Sequence, residues 1–119
     1  MNPPRKRILI ADDSAVVRHT IVRKLAPANA DVVVAETAQE ADAIDATTLD
    51  VAVLDLEFGT ADGTETADRI RAQNATVRIA FFTSGSSPER IARAQAIGPV
   101  FSKPDDLDAL IAWINAESA

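Results

Sequence analysis

The chain has 119 residues, 47% hydrophobic and 25% charged, with a formal net charge of −6 and no cysteine. That length gives room for one core rather than two, and the balance is that of a globular chain. A disulfide framework and a thiolate metal site are excluded, and an acidic surface repels phosphate backbones, which argues against direct nucleic-acid binding.

In chain order, Arg5-Lys6-Arg7 leads into a first apolar run, Ile8–Ala11. The run stops at Asp12-Asp13, too early for a signal core or a membrane span, so the protein is expected to be soluble and cytoplasmic. The three basic residues are expected to be a solvated lead-in to the first strand. Val17, Ile21 and Leu25 then share one helical face. A second run, Val32–Ala35, precedes Thr37 and Glu40, whose spacing is that of a capping box. A third, Val51–Leu54, is followed by a helix expected from about Thr64 to Gln73, with a thin apolar face. The fourth run is Ile79–Phe82, and Ser87-Pro88-Glu89 orders a cap, a first-turn proline and an acid at the next helix start. A weaker fifth run, Val100-Phe101, precedes a helix that Asp105 or Asp106 can cap. There Leu107, Leu110, Ile111 and Ile114 follow the i, i+3, i+4, i+7 pattern, and the helix is expected to end close to Ala116.

The apolar runs are continuous rather than alternating, which suits strands covered on both faces. Strands alternating with helices require right-handed crossovers and a parallel sheet. The expectation is one α/β domain over residues 1–119, doubly wound, with strand order 2-1-3-4-5 and helices on both faces. In such sheets the pocket lies at the strand C-terminal ends, where the winding direction reverses.

Those ends carry the polar residues. The first strand delivers Asp12-Asp13, the third Asp55, the fourth Thr83-Ser84 and the fifth Lys103-Pro104. Taken singly, each aspartate reads as a helix cap or a strand terminus, and Lys103 as a surface lysine. Taken together, neighbouring strands 1 and 3 should crowd Asp12, Asp13 and Asp55 into one acidic nest. Like charges at close quarters call for a neutralising ion, and an all-oxygen set points to Mg²⁺. Lys103 and Thr83 supply a cation and a hydroxyl donor for the oxygens of a transferred phosphoryl group.

With these residues in place the sequence resembles the receiver domains of two-component response regulators, over essentially the whole chain. Ile8–Ser14 is similar to the family's first strand and acidic pair, with Arg18 placed as in many members. Val53-Leu54-Asp55-Leu56 resembles the phosphoacceptor strand, and Asp62-Gly63 the Asp-Gly pair that follows it. Thr83 matches the hydroxyl position and Lys103-Pro104 the lysine with its proline. The resemblance implies a flavodoxin-like (βα)₅ fold in which Asp55 takes a phosphoryl group from the phosphohistidine of a sensor kinase or phosphotransfer protein. It implies Mg²⁺ held by Asp12, Asp13, Asp55 and the backbone carbonyl of Glu57. Lys103 would contact the phosphoryl oxygens, Thr83 would move toward them, and Lys103-Pro104 would be a cis peptide. The implied activity is that of a switch with weak self-phosphorylation and autodephosphorylation, not a metabolic enzyme. Output would pass to an unknown downstream protein through the face of the fourth helix, fifth strand and fifth helix, with no membrane contact, as a monomer or weak dimer and without an output domain.

Four positions depart from the family pattern. Glu57 places an acid two residues after the acceptor, where it is expected either to change the lifetime of the phosphorylated state or simply to point to solvent. Gly59 stands where proline is common, suggesting a more mobile loop. The Gly98–Lys103 segment is short, and Val100 occupies the usual place of the switch aromatic, while Phe101 alternates to the other sheet face as core. His19, the only histidine, is expected on a helix surface, and Trp113 on the core or at a partner surface. A pseudo-receiver, binding partners without phosphorylation, is the alternative. An aspartate-nucleophile phosphatase would need room for a cap domain, and a nucleotide-binding fold a Gly-rich phosphate loop.

Overall fold

The computed structural model describes residues 6–28 and 30–116. Arg5, the first of the three lead-in residues, lies outside them. Five strands form one parallel sheet: β1 (Arg7–Ala11), β2 (Asp31–Ala35), β3 (Val51–Leu54), β4 (Arg78–Thr83) and β5 (Val100–Ser102). Their order across the sheet is β2-β1-β3-β4-β5, so the chain winds one way from β1 to β2 and the other way from β3 onward. The helices are α1 (Ala15–Leu25), α2 (Ala38–Asp42), α3 (Gly63–Gln73), α4 (Pro88–Ile97) and α5 (Leu107–Asn115). A two-residue hairpin, Glu57–Phe58 against Ala61–Asp62, lies between β3 and α3.

Side chains alternating along the strands feed two cores, one on each sheet face. Leu9, Ala52, Leu54, Ile79 and Phe81 pack with Ala41, Ala67, Ile70 and Ala94 of α2, α3 and α4. Ile8, Ile10, Val51, Val53 and Ala80 pack with Ile21, Leu25, Leu110 and Ile114 of α1 and α5. Each fully buried Ile, Leu or Phe contributes about 1.5–3 kcal/mol, so β1, β3 and β4 anchor the fold. Two-sided coverage holds for these three strands. It fails at β2, an edge strand beside a five-residue helix, where Val34 remains 49% exposed. Phe101 joins the α1/α5 core, its ring tilted against that of Trp113 with centroids 6.3 Å apart, whereas Val100 packs against the opposite core.

The expected caps form with one exception. Thr37 and Glu40 close a capping box on α2, and the Ser87 hydroxyl accepts from the Arg90 N–H at α4. Asp106 occupies the cap position of α5, but its carboxylate accepts from the Ser102 N–H at 3.0 Å instead of capping. The basic lead-in is not merely solvated. Lys6 donates to the carbonyls of Ile114 and Ala116 at the end of α5, and Arg7 pairs with Asp31 at 3.1 Å. His19 is exposed, as expected.

Candidate functional site

Register builds the site. Ala11 of β1 pairs with Leu54 of β3, so the next residues on each strand, Asp12 and Asp55, emerge side by side at the C-terminal edge. Backbone bonds hold them there: the Asp12 N–H donates to Ala35 O and the Asp55 N–H to Ala11 O. On the other side Thr83 pairs with Ser102, and the Lys103 N–H donates to Thr83 O at 2.8 Å. The peptide between Lys103 and Pro104 is cis.

Asp12 is 2% exposed and Asp55 6%, while Asp13 is exposed at the rim. The Lys103 ammonium bridges the two buried carboxylates, 2.8 Å from Asp12 Oδ2 and 3.1 Å from Asp55 Oδ2. The second oxygen of Asp55 accepts from the Glu57 N–H at 3.1 Å, and that of Asp12 from the Ser14 N–H at 2.9 Å. Arg18 donates to the Asp12 carbonyl at 2.7 Å. Burial pushes the Asp55 carboxyl above its usual range, the Lys103 charge opposes this, and the Asp12 charge adds to it. For Lys103 burial acts downward, but the hydrogen bonds and charges of Asp12 and Asp55 prevail and hold the ammonium above its ordinary value.

The donor set fits a hard divalent cation. Asp12, Asp13 and Asp55 each bring a carboxylate oxygen to within 4.8 Å of the others. Against a single ammonium they leave two negative charges uncompensated, and all the donors are oxygens, the preference of Mg²⁺ or Ca²⁺.

The segment after Asp55 is held by α3 and α4. A Cβ on Gly63 would collide with the Asp55 carbonyl oxygen and stand 3.0 Å from its carbon, so only glycine lets α3 start against the backbone of Asp55. Asp62 caps α3, accepting from the Thr64 N–H at 2.9 Å. Gly59 adopts φ 63 in the turn of this hairpin, a left-handed conformation that favours glycine. Thr83, 4% exposed, turns its hydroxyl to Gly85, donating to its carbonyl and accepting from its N–H.

The side chain of Glu57 does not point freely to solvent. One oxygen accepts from Ser86 Oγ at 2.8 Å and the other from Arg90 Nη1 at 2.7 Å. Asp62 pairs with Arg90 and Arg93 at 3.2 and 2.8 Å. Ser86 and Arg90 escaped the sequence reading because nothing local marks them: their partner lies about thirty residues away.

The fold and this crevice define a doubly wound α/β protein with an acidic, lysine-balanced site at its topological switch point. The chain belongs to the response regulator receiver domain family, whose model matches residues 8–115. Among similar solved structures is the signal receiver domain of an HD domain-containing protein from Pseudomonas fluorescens Pf-5. It is 25% identical with a TM-score of 0.82, over 95% of this chain and 94% of that one. A CheY-like response regulator receiver domain protein from Methanospirillum hungatei JF-1 is 22% identical with a TM-score of 0.81, over 93% and 91%. A response regulator from Burkholderia pseudomallei, solved with a phosphorylated aspartic acid, a calcium ion and citrate, is 22% identical with a TM-score of 0.74, over 90% and 65%. A comparison with curated proteins gives no significant match.

Proposed function

We propose that the chain is a phosphoacceptor switch in which Asp55 takes a phosphoryl group from a phosphohistidine of a sensor kinase or phosphotransfer protein. The observation that carries this reading is the convergence of Asp12, Asp13, Asp55 and Lys103 on one crevice, with Lys103 bonded to the acceptor. A carboxylate oxygen of Asp55 attacks phosphorus in line, the P–N bond breaks, and its electron pair stays with the leaving imidazole. Lys103, already 3.1 Å from Asp55, meets the negative charge on the phosphoryl oxygens. Thr83 exchanges its bond to Gly85 for one to the same oxygens. Asp12, Asp13, Asp55 and the Glu57 carbonyl would hold Mg²⁺, whose chemistry is to neutralise the carboxylates and the incoming phosphate.

The chemistry left to the protein is positioning and charge balance, so the domain acts as a signalling switch with slow self-resetting rather than as a metabolic enzyme. It works in the cytoplasm, where its kinase partner presents phosphohistidine, and signals onward by protein contacts. Among the described residues no helix is long and apolar enough to cross a membrane. Incubation with Mg²⁺ and acetyl phosphate tests the reading by intact mass. A gain of one phosphoryl group in wild type and none in Asp55→Asn is expected; a wild-type chain of unchanged mass would refute it.

A further inference from the structure

Two residues past the acceptor, Glu57 brings a negative charge to a site that must admit an anionic donor. Its main chain touches the acceptor, since the Glu57 N–H donates to Asp55 Oδ1 at 3.1 Å. Its carboxylate, however, is drawn away to the start of α4, with Ser86 on one oxygen and Arg90 on the other. Arg90 also lies 3.2 Å from Asp62 through its Nε, an ion pair without a hydrogen bond. The pair Glu57–Arg90 therefore joins the acceptor loop to α4 across 33 residues of chain.

We infer that Arg90 is a positioning residue for phosphoryl acceptance: by holding Glu57 against α4, it keeps that carboxylate out of the path of the incoming phosphate and away from the divalent-ion ligands. The inference rests on the proposed phosphoacceptor function. Arg93 does not share the role, because its guanidinium reaches Asp62 and not Glu57. Losing Arg90 leaves Asp62 with Arg93 and Thr64, so the start of α3 stays capped. It leaves Glu57 with one neutral hydroxyl, a weaker hold than a charge-assisted bond. With a divalent cation in the nest, the freed carboxylate is drawn toward it. There it repels a phosphate dianion and adds an oxygen ligand for a cation, two effects of opposite sign from one charge.

That opposition makes the test specific. In the full chain, Arg90→Ala is compared with wild type, Glu57→Gln and the double variant. Phosphoryl uptake from acetyl phosphate is followed at saturating Mg²⁺, and Mg²⁺ affinity is measured by calorimetry, with melting curves to verify folding. Arg90→Ala is expected to accept phosphoryl groups about tenfold more slowly while binding Mg²⁺ several-fold more tightly. Both changes should shrink at high salt, disappear in the Glu57→Gln background, and be largely reversed by Arg90→Lys. Equal Mg²⁺ affinity in Arg90→Ala and wild type would overturn the inference. So would effects that persist in the Glu57→Gln background, which would make Arg90 a prop for α4. A wild-type chain that takes up no phosphoryl group contradicts the proposed function, and the Mg²⁺ titration still decides the role of Arg90.

Discussion

Replacing Lys103 by methionine examines the electrostatics of the site without altering its shape greatly. Lys103 is 2.8 Å from Asp12 and 3.1 Å from Asp55, and both carboxylates are almost wholly buried. Removing one partner of a buried ion pair costs about 3–5 kcal/mol, because the remaining charge is left without compensation. Here the loss has a ceiling. Asp55 is already shifted upward by burial, and without the ammonium it rises further, so protonation relieves the repulsion at a higher pH than in wild type. A loss of about 3 kcal/mol at pH 7 in chelator-containing buffer is therefore expected, a fall in Tm of about 10 °C. Urea unfolding should show less of this loss at pH 5, where protonation is easier. Mg²⁺ should restore more stability to Lys103→Met than it adds to wild type, since the variant's nest is more negative and binds the ion more tightly. A variant that melts within 2 °C of wild type, a threshold of roughly 0.5 kcal/mol, would refute the argument. An equal Mg²⁺ response in both proteins would do the same.

Three further perturbations follow from the same geometry. Asp55→Asn should raise metal-free stability at neutral pH: the folded pKa of Asp55 lies above its unfolded value, so its ionised form opposes folding once the pH exceeds both. Equal or lower urea midpoints would contradict this. Gly63→Ala should cost about 2 kcal/mol and slow phosphoryl uptake, because the new Cβ meets the Asp55 carbonyl and forces α3 outward; an unchanged melting curve would show that α3 yields freely. Asp62 is opposed by burial but held below its usual range by Thr64, Arg93 and Arg90, so its contribution is present above its unfolded pKa and lost as the pH falls through the folded value. Asp62→Asn should flatten that acid limb of the stability curve while keeping the cap on α3.

The strand order was legible because five strands alternating with helices suit a doubly wound sheet, and the crevice of such a sheet lies at the strand C-terminal ends, where Asp12, Asp55, Thr83 and Lys103 stand. What sequence could not supply were relations between distant side chains. Glu57 is paired through α4, a contact across 33 residues with no periodicity to announce it. Asp106 has the sequence signature of a cap, yet its carboxylate accepts from the Ser102 N–H at the end of β5. The run Val32–Ala35 looks as buried as Val51–Leu54, but its place at the sheet edge leaves Val34 exposed, and edge position is a property of the whole topology.

Locating the phosphoryl group probes the centre of the account. The chain, treated with acetyl phosphate and Mg²⁺, is trapped by borohydride reduction, digested and mapped by mass spectrometry. Modification at Asp55 alone, lost when a chelator removes the divalent ion, is the predicted result. A phosphoryl group on any other side chain, or uptake indifferent to the chelator, would contradict it.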